Sequence, residues 1–377
     1  FLFLILVTTN YIHITNAKII NNNKHDVERK QFIKEINLYK NLSWKAGFNS
    51  RFKDKPIGYS KKLCGVLNDD NEKIKDLLRQ GVLQYSNVEI AEKLPKQFDS
   101  ESNWPVCSKV IGDIRDQSDC GCCWAFGPAS AASDRLCIAT KGKIQVALSS
   151  EEACFCPDTF QGDCDGGYSS DPWLHVSDTG IVTGGQFNNS GPFAKEGFCS
   201  SFSLPHCHHH GPQRGDPYPK EGTKGCPEVD ESPKCPNKCD SGSKTGYNNW
   251  KKDRYKIKEK LIQVFKTDPD QIASSIMKHG SVSATFTVYP DFENYVSGIY
   301  HLSNNQSQPL GGHAVRIVGF GEDENGEKYW KVANSWNKYW GEKGYFRIRR
   351  GTDECDIESN VLSSHDKATW SGPGIEN

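Results

Sequence analysis

Fifteen cysteines in 377 residues, most of them between Cys107 and Cys239 among Gly, Pro and Asp, restrict this chain more than any other feature. Cytosolic thiols are kept reduced by glutathione, so such a load points to an oxidising compartment. The cysteines also answer a structural problem. Residues 155–250 are dominated by loop-forming residues, and that much coil is ordered only by cross-links. The count is odd, so at least one thiol stays unpaired or pairs outside the chain. A chain of this length buries one large core or two medium ones. A formal charge of −1 offers no basic footprint for nucleic acid.

The opening run FLFLILV reads as the apolar core of a secretory signal peptide over residues 1–17, with its true start missing. It is too short to span a bilayer, and no other segment looks like a membrane span. Asn41, Asn188 and Asn305 begin glycosylation acceptor patterns, in agreement with a secreted or lysosome-like acidic destination. Residues 18–93 are rich in Lys, Asn and Glu and hold one cysteine, Cys64. There Phe32, Ile33 and Ile36, and again Ile74, Leu77 and Leu78, recur at helical spacing. The composition changes at Leu94-Pro95, where the proline breaks any helix. A working domain over 94–364 follows, then a tail over 365–377.

In that domain, Cys123 to Thr140 is small and apolar enough to be a buried helix. After Pro269, Gln271 to His279 forms a short helix, and apolar runs at 281–289, 314–319, 329–332 and 345–348 are strands. Helices first and strands second give an α+β chain with two lobes and a cleft between them. Nothing in the sequence calls for a second copy, and a monomer is expected.

The segment Gln117-Ser-Asp-Cys-Gly-Cys-Cys-Trp124 carries the chemistry. A cysteine opening a helix faces backbone N–H groups and the positive dipole end, which favours thiolate. Gln117, six residues before Cys123, can aim its amide N–H at an oxyanion formed when that thiolate attacks a carbonyl. Downstream, Gly311-Gly-His313 enters one strand and Asn334-Ser-Trp336 closes another, a separation that suits neighbouring strands. The Asn334 amide then fixes the ring of His313, and Trp336 shields the pair from water.

These motifs resemble the papain family of cysteine peptidases, and within it the cathepsin B type. The likeness covers about Leu94 to Ser364, including CDGGY, GGHAVRIVGFG and VANSWN, and reaches back to Trp44-Lys-Ala-Gly and Lys62-Leu-Cys-Gly65. The resemblance implies a papain-like fold, Cys123 as nucleophile, His313 as acid/base, Asn334 as orienting group and Gln117 as oxyanion donor. Gly166 and Gly167 would offer backbone groups to an extended peptide or protein substrate. Residues 18–93 would be an inhibitory propeptide, weakened at acid pH by protonation of its carboxylates.

The resemblance also makes Cys207–Cys226 the closure of an occluding loop carrying His209 and His210. Protonated, these would hold a substrate's terminal carboxylate and release dipeptides alongside endopeptidase activity. Asp116 would pair with His209. The histidine run lacks paired CxxC or HxxxH ligands, so no metal or cofactor is expected. Further disulfides implied are Cys107–Cys137, Cys120–Cys164, Cys199–Cys239 and Cys154–Cys235, leaving Cys64, Cys122, Cys123, Cys156 and Cys355 as thiols.

Several positions depart from the family pattern. Cys122 replaces a serine beside the nucleophile, Ser118-Asp119 replaces glycine-serine, and Asp165 replaces an asparagine. Tyr339 stands where an aspartate ties down a loop arginine, with Arg214 the nearest candidate, and Asn360 replaces a pocket glutamate. Cys122 and Asp119 leave open a second reading, a peptidase fold that binds without cleaving.

Overall fold

The computed structural model describes residues 24–157, 163–207, 226, 229, 231–257, 262–304, 307–364 and 368–373. The helix Cys123–Ala139 is the axis of the first lobe, buried on every side from Cys123 to Cys137. Its small residues let other elements approach closely. Gly127 lies so near the strand Gly311–Glu322 that a Cβ there would stand 2.9 Å from the Val315 carbonyl. Around this axis are the short helices Ser150–Phe155 and Asp171–Asp178 and long loops.

Six disulfides lace the described part of this lobe: Cys107–Cys137, Cys120–Cys164, Cys122–Cys154, Cys156–Cys235, Cys199–Cys239 and Cys207–Cys226. Two pairings differ from the sequence expectation. Cys122 caps the central helix and faces the helix Ser150–Phe155, so it joins Cys154 across a Cα separation of 6.1 Å. Cys235 is thereby free for Cys156, with Cα atoms 4.7 Å apart. Cys64, Cys123 and Cys355 remain thiols. The pair of adjacent free thiols expected at 122 and 123 is therefore one thiol beside one disulfide half.

The second lobe is a ten-stranded sheet. At its centre Val282–Val288, Gly311–Glu322, Lys328–Ala333 and Tyr345–Arg349 pair antiparallel in that order. Asn360–Ser364 and Ile262–Val264 extend one side, and Tyr295–Tyr300 the other. The four strands and the helix Pro269–His279 read from the sequence are all present, with ends moved by a few residues. An aromatic cluster of Phe286, Phe292, Tyr295, Tyr300, Trp336, Trp340 and Phe346 fills this core. Buried polar ties join the lobes. Arg135 donates to the carbonyls of Ser281 and Ser364 at 2.7 and 2.9 Å, and Arg316 meets Asp134 at 2.7 Å.

Residues before 94 wrap both lobes. A helix over 24–37 and the helix Asp70–Arg79 flank an extended stretch. Trp44–Ala46 adds a strand against Tyr295–Tyr300, and Leu83–Tyr85 adds one against Ile262–Val264. Both outer edges of the sheet are thus covered by this segment, which removes unpaired backbone groups from solvent.

Candidate active site

Cys123 is the first residue of the central helix and His313 the third of the strand Gly311–Glu322, brought together where Gly127 lets helix and strand touch. Both side chains are fully buried. His313 Nε2 and Asn334 Oδ1 are 2.8 Å apart, and the Ser335 backbone N–H donates to the same oxygen at 2.8 Å. That oxygen can only accept, so His313 donates through Nε2 and keeps a lone pair on Nδ1 when neutral. The indole of Trp336 lies 4.9 Å from the imidazole, and Phe286 meets it edge-on at 5.9 Å.

Gln117 holds its amide in the same space. Its Oε1 accepts from Ser335 Oγ at 2.7 Å, and its Nε2 donates to the carbonyls of Cys120 and Leu63 at 2.7 and 3.0 Å. A backbone carbonyl of the N-terminal segment therefore rests on the predicted oxyanion donor. Two residues on, the Gly65 N–H points to Cys123 Sγ at 3.2 Å. Val66 bridges both walls, donating to the Gly312 carbonyl at 3.1 Å, while Gly167 donates to Gly65 at 2.9 Å. Gly65 must be glycine. A Cβ there would stand 1.6 Å from the Gly121 carbonyl.

The filled cleft suppresses the reactive ionisation. Burial pushes the Cys123 thiol up to about 11, although backbone N–H groups of Ala314, Gly65, Trp124 and Val66 pull it back. Burial lowers His313 to about 4, offset in part by its bonds to Asn334 and by the Leu63 carbonyl. Between those values thiol and imidazole are both neutral, because neither charge has water to solvate it.

The sequence pattern of the papain family cysteine proteases spans residues 94–365, and that of the peptidase family C1 propeptide spans 29–70. The chain belongs to the papain family. A cathepsin B-like cysteine proteinase of Schistosoma japonicum is 37% identical over 358 residues, 93% of this chain and 94% of the relative. Cathepsin B-like cysteine proteinase 4 of Caenorhabditis elegans is 41% identical over 276 residues, 72% of this chain and 75% of the relative. Among solved structures, procathepsin B S9 from Trypanosoma congolense superposes with a TM-score of 0.67 at 28% identity, covering 89% of this chain and 97% of that one. This papain-family chain is a cysteine peptidase made as a zymogen, and its propeptide is its own inhibitor.

The propeptide is anchored by three cations and by one buried carboxylate. Arg29 meets Glu293 at 2.8 Å, Arg51 meets Asp116 at 3.1 Å, and Lys62 meets Asp119 at 2.9 Å. In each pair the carboxylate belongs to the peptidase domain. Asp70 is a buried propeptide carboxylate, held by the Ser169 N–H and Oγ, with the Asn360 amide 3.5 Å away. Burial raises Asp70 to about 6 and neighbouring Asp171 to about 7. A raised carboxyl is easier to protonate docked than free, so protonating Asp70 strengthens docking. The expectation that acid loosens the propeptide through its own carboxylates is corrected for this group.

Other expected residues have mixed outcomes. Gly167 donates to the Gly65 carbonyl at 2.9 Å and accepts from the Leu67 N–H at 3.3 Å, with Gly166 next to it and Asp165 exposed beside them. His209, His210 and Arg214 lie outside the described residues. Asp116, whose expected partner His209 is outside the described residues, accepts from Arg51, from the Cys207 N–H at 3.0 Å and from Asn337 at 2.9 Å. His206 Nδ1 is 3.8 Å from it. Ser118, at a family glycine position, adopts φ 58°, the left-handed conformation that explains the usual glycine. Asn41 and Asn188 are exposed, as acceptors should be, and Asn305 lies outside the described residues.

Proposed function

We propose that the chain is a cathepsin B-type peptidase in which the Cys123 thiolate attacks a peptide carbonyl and forms an acyl-enzyme. His313 takes the thiol proton and returns it to the leaving amine, while Asn334 holds the ring and Trp336 keeps water from that bond. Gln117 Nε2 donates to the oxyanion. Gly166 and Gly167 bind the substrate backbone. The observation that carries this reading is the propeptide's own backbone, with the Leu63 carbonyl on Gln117 and the Gly65 N–H on Cys123 Sγ. An extended peptide backbone already occupies the place where a substrate would lie.

The division of labour follows the sequence reading: residues 1–17 direct secretion or delivery to an acidic vesicle, 18–93 inhibit, and 94–364 act after cleavage near Leu94. A C-terminal tail occupies 365–377. His209 and His210, protonated at acid pH, bind a substrate carboxylate and add dipeptide release to internal cleavage. Replacing His210 with Ala tests that role. Dipeptide release falls while internal cleavage is spared, and equal loss of both refutes it. The role of Cys123 is tested by labelling the matured protein with an epoxide or vinyl-sulfone probe at pH 5 to 6, which should succeed in the wild type and vanish in Cys123→Ala.

A further inference from the structure

Asp119 differs from every other carboxylate that holds the propeptide. Asp116 keeps the Cys207 N–H and Asn337 as partners within the peptidase domain. Glu293 likewise accepts from Arg29, Gly58 and Ser60 of the propeptide, but it belongs to the short turn Phe292–Asn294 of the sheet lobe and not to the segment between Gln117 and Cys123. Asp119 stands two residues after Gln117 and four before Cys123. All of its hydrogen bonds among the described residues come from the segment that leaves: Tyr59 Oη at 2.9 and 2.8 Å, and Lys62 Nζ at 2.9 Å. Its side chain is wholly covered, whereas that of Lys62 is 43% exposed.

Lys62 is also the residue before Leu63, whose carbonyl sits on Gln117 Nε2. The Lys62 carbonyl lies 3.1 Å from where a Cβ on Gly121 would stand, so the propeptide runs along the cleft floor at this point. A lysine next to the carbonyl on the oxyanion donor thus sends its ammonium into a carboxylate on the same wall. Removal of the propeptide uncovers that carboxylate with no other described residue hydrogen-bonded to it.

We propose that Asp119 forms an acidic subsite of the mature peptidase that selects a basic side chain, lysine or arginine, flanking the scissile bond. The propeptide's Lys62 is the internal occupant of that subsite. This rests on the peptidase reading above, since a subsite needs a substrate that is cut. The interaction is a charge-assisted hydrogen bond beside the reacting carbonyl, and it is screened by salt wherever solvent reaches it.

The test uses matured wild-type protein and a peptide set in which each of the two positions on either side of the cut carries lysine or its uncharged acetyl-lysine. One position is expected to favour lysine in kcat/KM by at least about tenfold, what one hydrogen bond to a charged group supplies. The ratio falls as NaCl rises, collapses in Asp119→Asn and is partly restored in Asp119→Glu. If Asp119→Asn fails to mature, the wild-type salt series and Asp119→Glu decide the matter. Cys123-dependent cleavage with a ratio near one at every position overturns the subsite and leaves the peptidase reading intact. The same ratio in wild type and Asp119→Asn also overturns it. Absence of any Cys123-dependent cleavage overturns both.

Discussion

The two walls of the cleft are built by different physics. The wall that presents Cys123 is a helix of small residues in a lobe of loops, held by six disulfides among the described residues. The wall that presents His313 is a sheet with a single cysteine, Cys355, and a dense aromatic core. Loops cannot bury enough apolar area to repay their ordering entropy, so covalent links restrict the unfolded chain instead. Strands with large aromatic residues need no such help. The propeptide treats the walls accordingly. On the sheet side it extends the aromatic cluster with Trp44 and Phe52, supplies edge strands and adds one buried ion pair through Arg29, whereas on the helix side its ties through Arg51 and Lys62 are charged.

The largest expected break in this contrast is Phe292→Ala. The ring touches Phe286, Tyr300, Trp336, Trp340 and Phe346, and its loss should cost about 3–5 kcal/mol, measured by denaturant unfolding. Removing Cys107 and Cys137 together should cost about 3–4 kcal/mol from loop-closure entropy for a link spanning 30 residues. Mild reduction should lower protease resistance in the first lobe while the sheet lobe keeps its slow hydrogen exchange. Equal loss in both lobes would erase the distinction.

A smaller effect concerns pH. Asp70 has a folded-state value of about 6 against an ordinary 3.8, so its proton is bound more tightly when docked. Its favourable contribution is complete below the ordinary value and is lost as pH rises through 6. The Asp70→Asn zymogen, in a Cys123→Ser background, should therefore melt higher than its parent at pH 7.5 and converge with it near pH 4. A constant difference across that range would contradict the assignment. The smallest expected effect is Ser118→Gly. It relieves the left-handed strain at φ 58° but gives back entropy, for a net gain of no more than about 1 kcal/mol in a thermal melt.

The sequence disclosed the two walls unevenly. Short apolar runs bounded by turns marked four sheet strands, and the spacing from His313 to Asn334 foretold neighbouring strands, because central strands covered on both faces read as continuous apolar segments. Trp44–Ala46 and Leu83–Tyr85 were not legible as strands, since three residues acquire that state only by pairing with a partner far along the chain. The disulfides tell a similar story. Cys122–Cys154 depends on two helices packing side by side, and nothing local to either cysteine encodes that contact. The ion pairs of Arg29, Arg51 and Lys62 were missed because a lone basic residue in a charged segment looks like any solvated one. Gln117, Cys123, His313 and Asn334 were legible because each sits in a motif with its own chemical reason.

The most direct measurement is irreversible labelling of Cys123 by an epoxide or vinyl-sulfone probe at pH 5 to 6, before and after removal of the propeptide. In the intact zymogen, burial keeps thiol and imidazole neutral and the propeptide backbone at Gly65 keeps the probe out, so labelling should be slow. In the matured protein it should be fast, should vanish in Cys123→Ala, and should fall in Asn334→Ala by about tenfold or more as the ring loses its orientation. Labelling of the matured protein that is absent, or that persists in Cys123→Ala, would contradict the account.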